Sequence, residues 1–101
     1  MNREEILTTA INLTMGDRND QNGDPLDNHQ RIARIWSVLL GQEIEPYQVA
    51  LCMAGLKLAR LAYNPLEDSF IDGAAYLAIA GEIVNRKESD EASSSRRCRC
   101  R

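Results

Sequence analysis

Two stretches of this chain are long, almost wholly apolar and rich in small residues. Val49–Ala62 reads VALCMAGLKLARLA, and Phe70–Val84 reads FIDGAAYLAIAGEIV. Neither keeps a period-two alternation, and β-branched residues are sparse, so strands are a poor reading. Their alanines suit helices whose axes approach closely, or an oligomer seam. The charges inside them are few. Lys57 and Arg60 lie three apart on one helix face, and Asp68 and Asp72 lie four apart on another. Charges set among Leu, Ala and Ile must be paired or must bind something charged, because a lone buried charge costs several kcal/mol, on the order of a broken ion pair.

The punctuation around these stretches predicts four helices over about 3–15, 25–40, 46–63 and 65–86. In the first, Ile6, Ala10 and Leu13 recur at helical spacing, with Leu7 and Ile11 widening the stripe and Gly16 as the stop. The second opens with Asp24 as cap, Pro25 at the first helical position and Asp27 in the first turn. Its expected core face is Ile32, Ile35, Trp36 and Leu39, and Gly41 ends it. The third starts at Glu45-Pro46. The fourth opens with Asn64-Pro65, where Asn64 and Glu67 have the spacing of a capping box. Short connections make this an all-α, compact four-helix bundle. The domain spans 1–88. Residues 89–101, polar and rich in Ser and Arg, are expected to be a disordered tail. The segment from Asp17 to Gly23, DRNDQNG, is either a connector or a functional loop.

Charge is unevenly spread. Net charge is −3 overall, with −5 over residues 1–88 and +2 over the tail. An acidic body argues against duplex DNA as the main ligand and leaves nucleic acid to the arginines of the tail. No apolar run is both long and charge-free enough to span a membrane, and MNREEILTTA lacks the form of a secretory signal. The expectation is a cytoplasmic protein. Three cysteines make no disulfide framework. Cys52 is expected to be a buried thiol, and Cys98 with Cys100 is a weak metal signal.

The candidate chemistry centres on Lys57, Arg60, Asp68 and Asp72. The Asn64-Pro65 turn brings both pairs toward one end of the bundle. Two readings stay open. In one, the charges form salt bridges across the helix pair, such as Arg60 with Asp72. In the other, Asp68 and Asp72 hold Mg²⁺, with Asp27 the weakest candidate, and Lys57 and Arg60 hold phosphate. Tyr76 lies four from Asp72 and lines the same site, and Arg31 is a further phosphate candidate beside the apolar stripe of the second helix. His29, the sole histidine, is expected to be a solvent-exposed helix residue, and Trp36 a core one. No catalytic triad, Walker loop or dinucleotide fingerprint is present.

The ordered strings GDRND…GDPLDNHQRIARIWS, EPYQVALCMAGLKLARLAYNP and DSFIDGAAYLAIAGEI resemble a family of small proteins encoded by phages and prophages. That family shows a G-D-P-x-x-N turn, an I-A-x-x-W helix, a K-x-x-R pair and a D-x-x-x-D-x-x-x-Y helix. The matching residues are Gly23, Asp24, Pro25, Asn28, Ile32, Ala33, Trp36, Lys57, Arg60, Asp68, Asp72 and Tyr76, across most of residues 14–84. The chain is more distantly similar to the MazG-like all-α nucleotide pyrophosphohydrolases, which are oligomeric bundles that hold Mg²⁺ through acidic helix motifs. It departs from their E-x-x-E and E-x-x-D pattern.

These resemblances imply a nucleotide or phosphate binder in the host cytoplasm, with Mg²⁺ as cofactor and hydrolysis left open. The alternative is a non-catalytic phage protein that binds and inhibits a host enzyme or defence component. In either case a homodimer or higher homo-oligomer is expected, because a small domain with apolar surface to spare completes its core by pairing.

Overall fold

The computed structural model describes residues 1–15 and 23–90. Four helices follow in order: α1 (Arg3–Met15), α2 (Pro25–Leu40), α3 (Pro46–Tyr63) and α4 (Glu67–Asp90). All described regular structure is helical, as the pattern requires. Gly16, the segment 17–22 and the tail beyond residue 90, with Cys98 and Cys100, lie outside the described residues.

Local chemistry sets the helix ends. Asn2 and Glu5 cap α1 reciprocally: Asn2 Oδ1 accepts from the Glu5 N–H at 2.9 Å, and Glu5 Oε1 accepts from the Asn2 N–H at 2.8 Å. At α2, Asp24 is extended and its side chain accepts from the Leu26 N–H, while Pro25 occupies the first turn, where no N–H is needed. Gly41 closes α2 at φ 68°, a left-handed conformation that costs glycine nothing, and donates its N–H to Ser37 O. Ser37 also organises the turn that follows. Its hydroxyl donates to Ala33 O at 2.7 Å and accepts from the Ile44 N–H at 2.8 Å.

At the next boundary the structure differs from the expected pattern. Asn64 ends α3 with its N–H on Arg60 O, and α4 begins only at Glu67. Glu67 makes no capping box with Asn64. Its carboxylate instead takes the Met1 ammonium at 2.5 Å. The far end of α4 runs on to Asp90, past the expected stop at residue 86.

α3 and α4 form the central pair and run antiparallel. Lys57 meets Asp72 near the connecting turn, whereas Ala50 packs with Ile79 and Ala80 further down, with Tyr47 and Ile83 against them. Contact partners therefore descend one helix as they ascend the other. Small residues keep the axes close: a methyl placed at Gly73 would lie 3.7 Å from Lys57 Cβ. On the other side of α4, Ile71 and Ala75 bury Ala10 of α1, with Ile6 and Leu13 at the margin. α2 packs on α3.

The core is made of small side chains. Ala10, Ala33, Ala50, Ala54, Ala75 and Ala80 are buried, with Val49, Ile71 and Ile79 as the larger buried side chains among the described residues. The expected face of α2 is rotated. His29 and Ala33, four apart, are its buried residues, Ile32 and Trp36 are half-buried, and Ile35 and Leu39 are 58% and 75% exposed. Cys52 is exposed rather than buried, because the face of α3 turned to its neighbours carries Val49, Ala50 and Ala54. Among the described residues, no helix is long and apolar enough to cross a membrane.

Candidate functional site

Two helices, α1 and α4, and the start of α2 converge on a cleft of about 400 Å³. Leu13 and Thr14 come from the end of α1, Gly23, Pro25, Asn28 and His29 from the entry to α2, and Asp72, Ala75, Tyr76 and Ile79 from α4. The α2 entry is placed by its cap. Asp24 and Pro25 start the helix abruptly, so Asn28 closes its first turn and His29 stands one turn above Pro25. On α4, Asp72, Ala75, Tyr76 and Ile79 recur at spacings of three and four and make one stripe. The size suits a small-molecule ligand, and the lining mixes an apolar floor with a few polar groups, as ligand sites do.

The main charge in the cleft is Asp72. Its carboxylate pairs with Lys57 Nζ at 3.2 Å. The two partners differ in solvation: the Lys57 side chain is 14% exposed and the Asp72 side chain 36%. Antiparallel packing of α3 on α4 creates the pair, and Gly73 next to Asp72 leaves room for the Lys57 stem.

His29 is buried, with 5% exposure, where an exposed residue was expected. Pro25 at the helix start leaves its carbonyl one turn below, and His29 Nδ1 lies 2.7 Å from it. A carbonyl only accepts, so Nδ1 carries the proton, and in the neutral ring Nε2 carries the lone pair. Nε2 is the one buried side-chain nitrogen or oxygen without a partner among the described residues. The Tyr76 ring lies beside it, with centroids 6.2 Å apart and planes tilted by 59°. The sequence signal for this burial is the row Pro25, His29, Ala33 at a spacing of four, which is masked by the larger Ile32, Ile35, Trp36 and Leu39.

The other candidates are not brought together. Arg60 and Asp68 are exposed and lie outside the cleft lining. The expected partner of Asp72 was Arg60, but the residue that reaches it is Lys57, one turn closer to the middle of α3. Asp27 is exposed in the first turn of α2. Arg31 is exposed and donates to Asn28 Oδ1 at 3.3 Å, so it reaches the cleft only through a lining residue. Tyr76 lines the cleft as expected. Among the described residues, no group of three or more His, Cys, Asp or Glu side chains is arranged to hold a metal ion. Among the described residues, Asp72 alone offers a carboxylate to the cleft, which fits a Mg²⁺ whose remaining ligands are phosphate oxygens and water.

The family model described as Domain of unknown function (DUF6378) matches residues 5–84, and the chain belongs to that family. Among curated proteins it is similar to the Gene 55 protein of Mycobacterium phage L5, at 40% identity over 76 residues, covering 73% of this chain and 49% of that protein. It is also similar to the Gene 55 protein of Mycobacterium phage D29, at 39% identity over 89 residues, covering 87% of this chain and 59% of that one. The chain thus spans about half the length of the curated relatives it matches. No solved structure matches it. The phage-family resemblance is borne out, and this is a phage-type small helical protein. The likeness to MazG-like enzymes draws no support from these matches.

Proposed function

We propose that this phage-family member binds a nucleotide in the cleft between α1, α2 and α4. The observation that carries the reading is Asp72, which lines a ligand-sized cleft and is paired with Lys57, a residue outside the lining that a ligand reaches through Asp72. A phosphate group approaching Lys57 competes with Asp72 for the ammonium, and a Mg²⁺ carried by the phosphates gives Asp72 a replacement partner. The pair is thus neutral in the free protein and able to take an anion and a cation together. Arg60, Asp68, Asp27 and Arg31 stand away from this exchange. The reading extends to a MazG-like pyrophosphohydrolase only if turnover is found, since the described lining offers one carboxylate for metal.

Thermal unfolding against nucleoside mono- and triphosphates, with and without Mg²⁺, tests it. A ligand present at a hundredfold its dissociation constant adds about 2.7 kcal/mol, a shift easily read. Asp72→Ala should abolish the Mg²⁺-dependent part and keep the helical content. Retained Mg²⁺-dependent binding in that variant would sink the assignment.

A second reading is favoured by the outer face of α2. Ile35, Val38, Leu39 and Leu40 are all more than half exposed there. Apolar faces of this kind serve protein contacts. This reading makes the chain a non-catalytic protein that binds and inhibits a host enzyme or defence component, and the same face would serve a homodimer. A stoichiometric host partner in a pull-down supports it. A sharp monomer mass by light scattering at micromolar concentration contradicts self-association.

A further inference from the structure

His29 has a role in the cleft that the ion pair does not supply. A buried polar atom without a partner forfeits the hydrogen bond water would give it, so proteins keep few of them. Here the atom is Nε2 of a side chain that lines the cleft. Its chemistry is fixed by the opposite nitrogen, because Nδ1–H is spent on Pro25 O. In the neutral ring Nε2 therefore accepts and does not donate. An anionic phosphate, itself an acceptor, meets it lone pair to lone pair. A neutral N–H satisfies it.

The Tyr76 ring lies beside His29, and Leu13, Ala75 and Ile79 supply the cleft's apolar lining, with Thr14, Asn28 and Asp72 its polar part. The apolar part suits a flat, weakly polar head group. We propose that the cleft receives a nucleobase whose N–H edge donates to His29 Nε2, which sets the polarity of the bound ligand. The base lies at the α1–α2 side and the phosphates at Lys57 and Asp72. This inference rests on the nucleotide reading and adds its orientation and its specificity residue. Nε2 is enclosed in the free protein, so the half-buried Tyr76 ring beside it must give as the base enters.

Because His29 is the sole histidine, one imidazole signal in a long-range proton–nitrogen NMR spectrum of the full chain reports it directly. The free protein should show the Nδ1–H tautomer. Adenosine, guanosine, cytidine and uridine all carry a base N–H, whereas purine riboside carries none. At least one of the four should move the Nε2 resonance, and purine riboside should not. His29→Phe should weaken that nucleoside about tenfold, the worth of one neutral hydrogen bond, and leave purine riboside unchanged.

An Nε2–H tautomer, four silent nucleosides, or an equal loss for both ligand types in the variant each overturn the proposal. The wild-type spectra decide it even if His29→Phe does not fold. Pyrophosphate with Mg²⁺, titrated alongside, separates the two readings. Pyrophosphate binding with silent nucleosides removes this inference alone. Nucleoside binding without pyrophosphate binding supports His29 and removes the phosphate half of the proposed function.

Discussion

Replacing Asp72 by Asn should destabilise the protein more than replacing Lys57 by Met, although both break the same ion pair. The reason is the unequal solvation of the partners. Asp72→Asn leaves a Lys57 ammonium whose side chain is 14% exposed without its counter-charge, whereas Lys57→Met leaves a carboxylate at 36% exposure that water can still reach. Exposed pairs contribute up to about 1 kcal/mol, and orphaning a fully buried charge costs about 3–5 kcal/mol. An intermediate site puts Asp72→Asn at about 2 kcal/mol. Lys57→Met keeps the apolar stem against Gly73 and should cost about 1 kcal/mol or less. For a domain of this size, 1 kcal/mol shifts Tm by about 4–8 °C, so the single variants should fall by about 10 °C and about 5 °C. The double variant has no orphan and should melt above Asp72→Asn alone. Melts followed by circular dichroism at one fixed protein concentration read all three. Equal losses, or a double variant as low as the two singles added, would refute the argument from solvation.

Gly41→Ala should cost about 1 kcal/mol from its left-handed φ alone, since nothing lies near a Cβ there; chemical denaturation measures it. Gly73→Ala should instead stabilise by about 0.4–1 kcal/mol, because its helical backbone accepts alanine and the new methyl meets Lys57 Cβ at ordinary contact distance. Ser37→Ala strips the Ile44 N–H of its acceptor and should cost about 1 kcal/mol, with faster amide exchange at Ile44 as the local signature. The Met1 ammonium is held above its ordinary value of 8.0 by its hydrogen bond to Glu67. Its contribution is complete below that value and is lost as pH rises through the raised pKa. Tm measured from pH 7 upward should therefore fall more in this chain than in Glu67→Gln.

The helix boundaries were legible wherever a residue acts through its own backbone. Asp24-Pro25, Gly41 and Pro46 mark their helix ends in the structure as they do in the sequence, whereas Asn64, read as the cap of the fourth helix, closes α3 instead. Packing was less legible. Periodicity weighs large side chains, so it singled out Ile35 and Leu39, whereas close helix pairing selects small ones and buried Ala33 instead. His29 was misplaced for the same reason. Its burial depends on a hydrogen bond to the Pro25 carbonyl, and a search for apolar stripes does not register it. Of the four charges near the α3–α4 turn, spacing showed that some would meet. It did not show that Lys57 rather than Arg60 reaches Asp72, which the register of α3 on α4 decides.

The alanine-built core has a consequence for how this protein survives in a cell. Among the described residues the larger buried aliphatic side chains are Val49, Ile71 and Ile79, while Ile35, Val38, Leu39, Leu58 and Tyr63 are largely uncovered, so much apolar surface stays in water when the chain folds alone. Its lifetime should then depend on whether a partner or a second copy covers those side chains. When copies are scarce, it should be open to proteolysis. Once a partner or more of its own kind accumulates, mass action should protect it, so that abundance rises with a threshold rather than in proportion to synthesis.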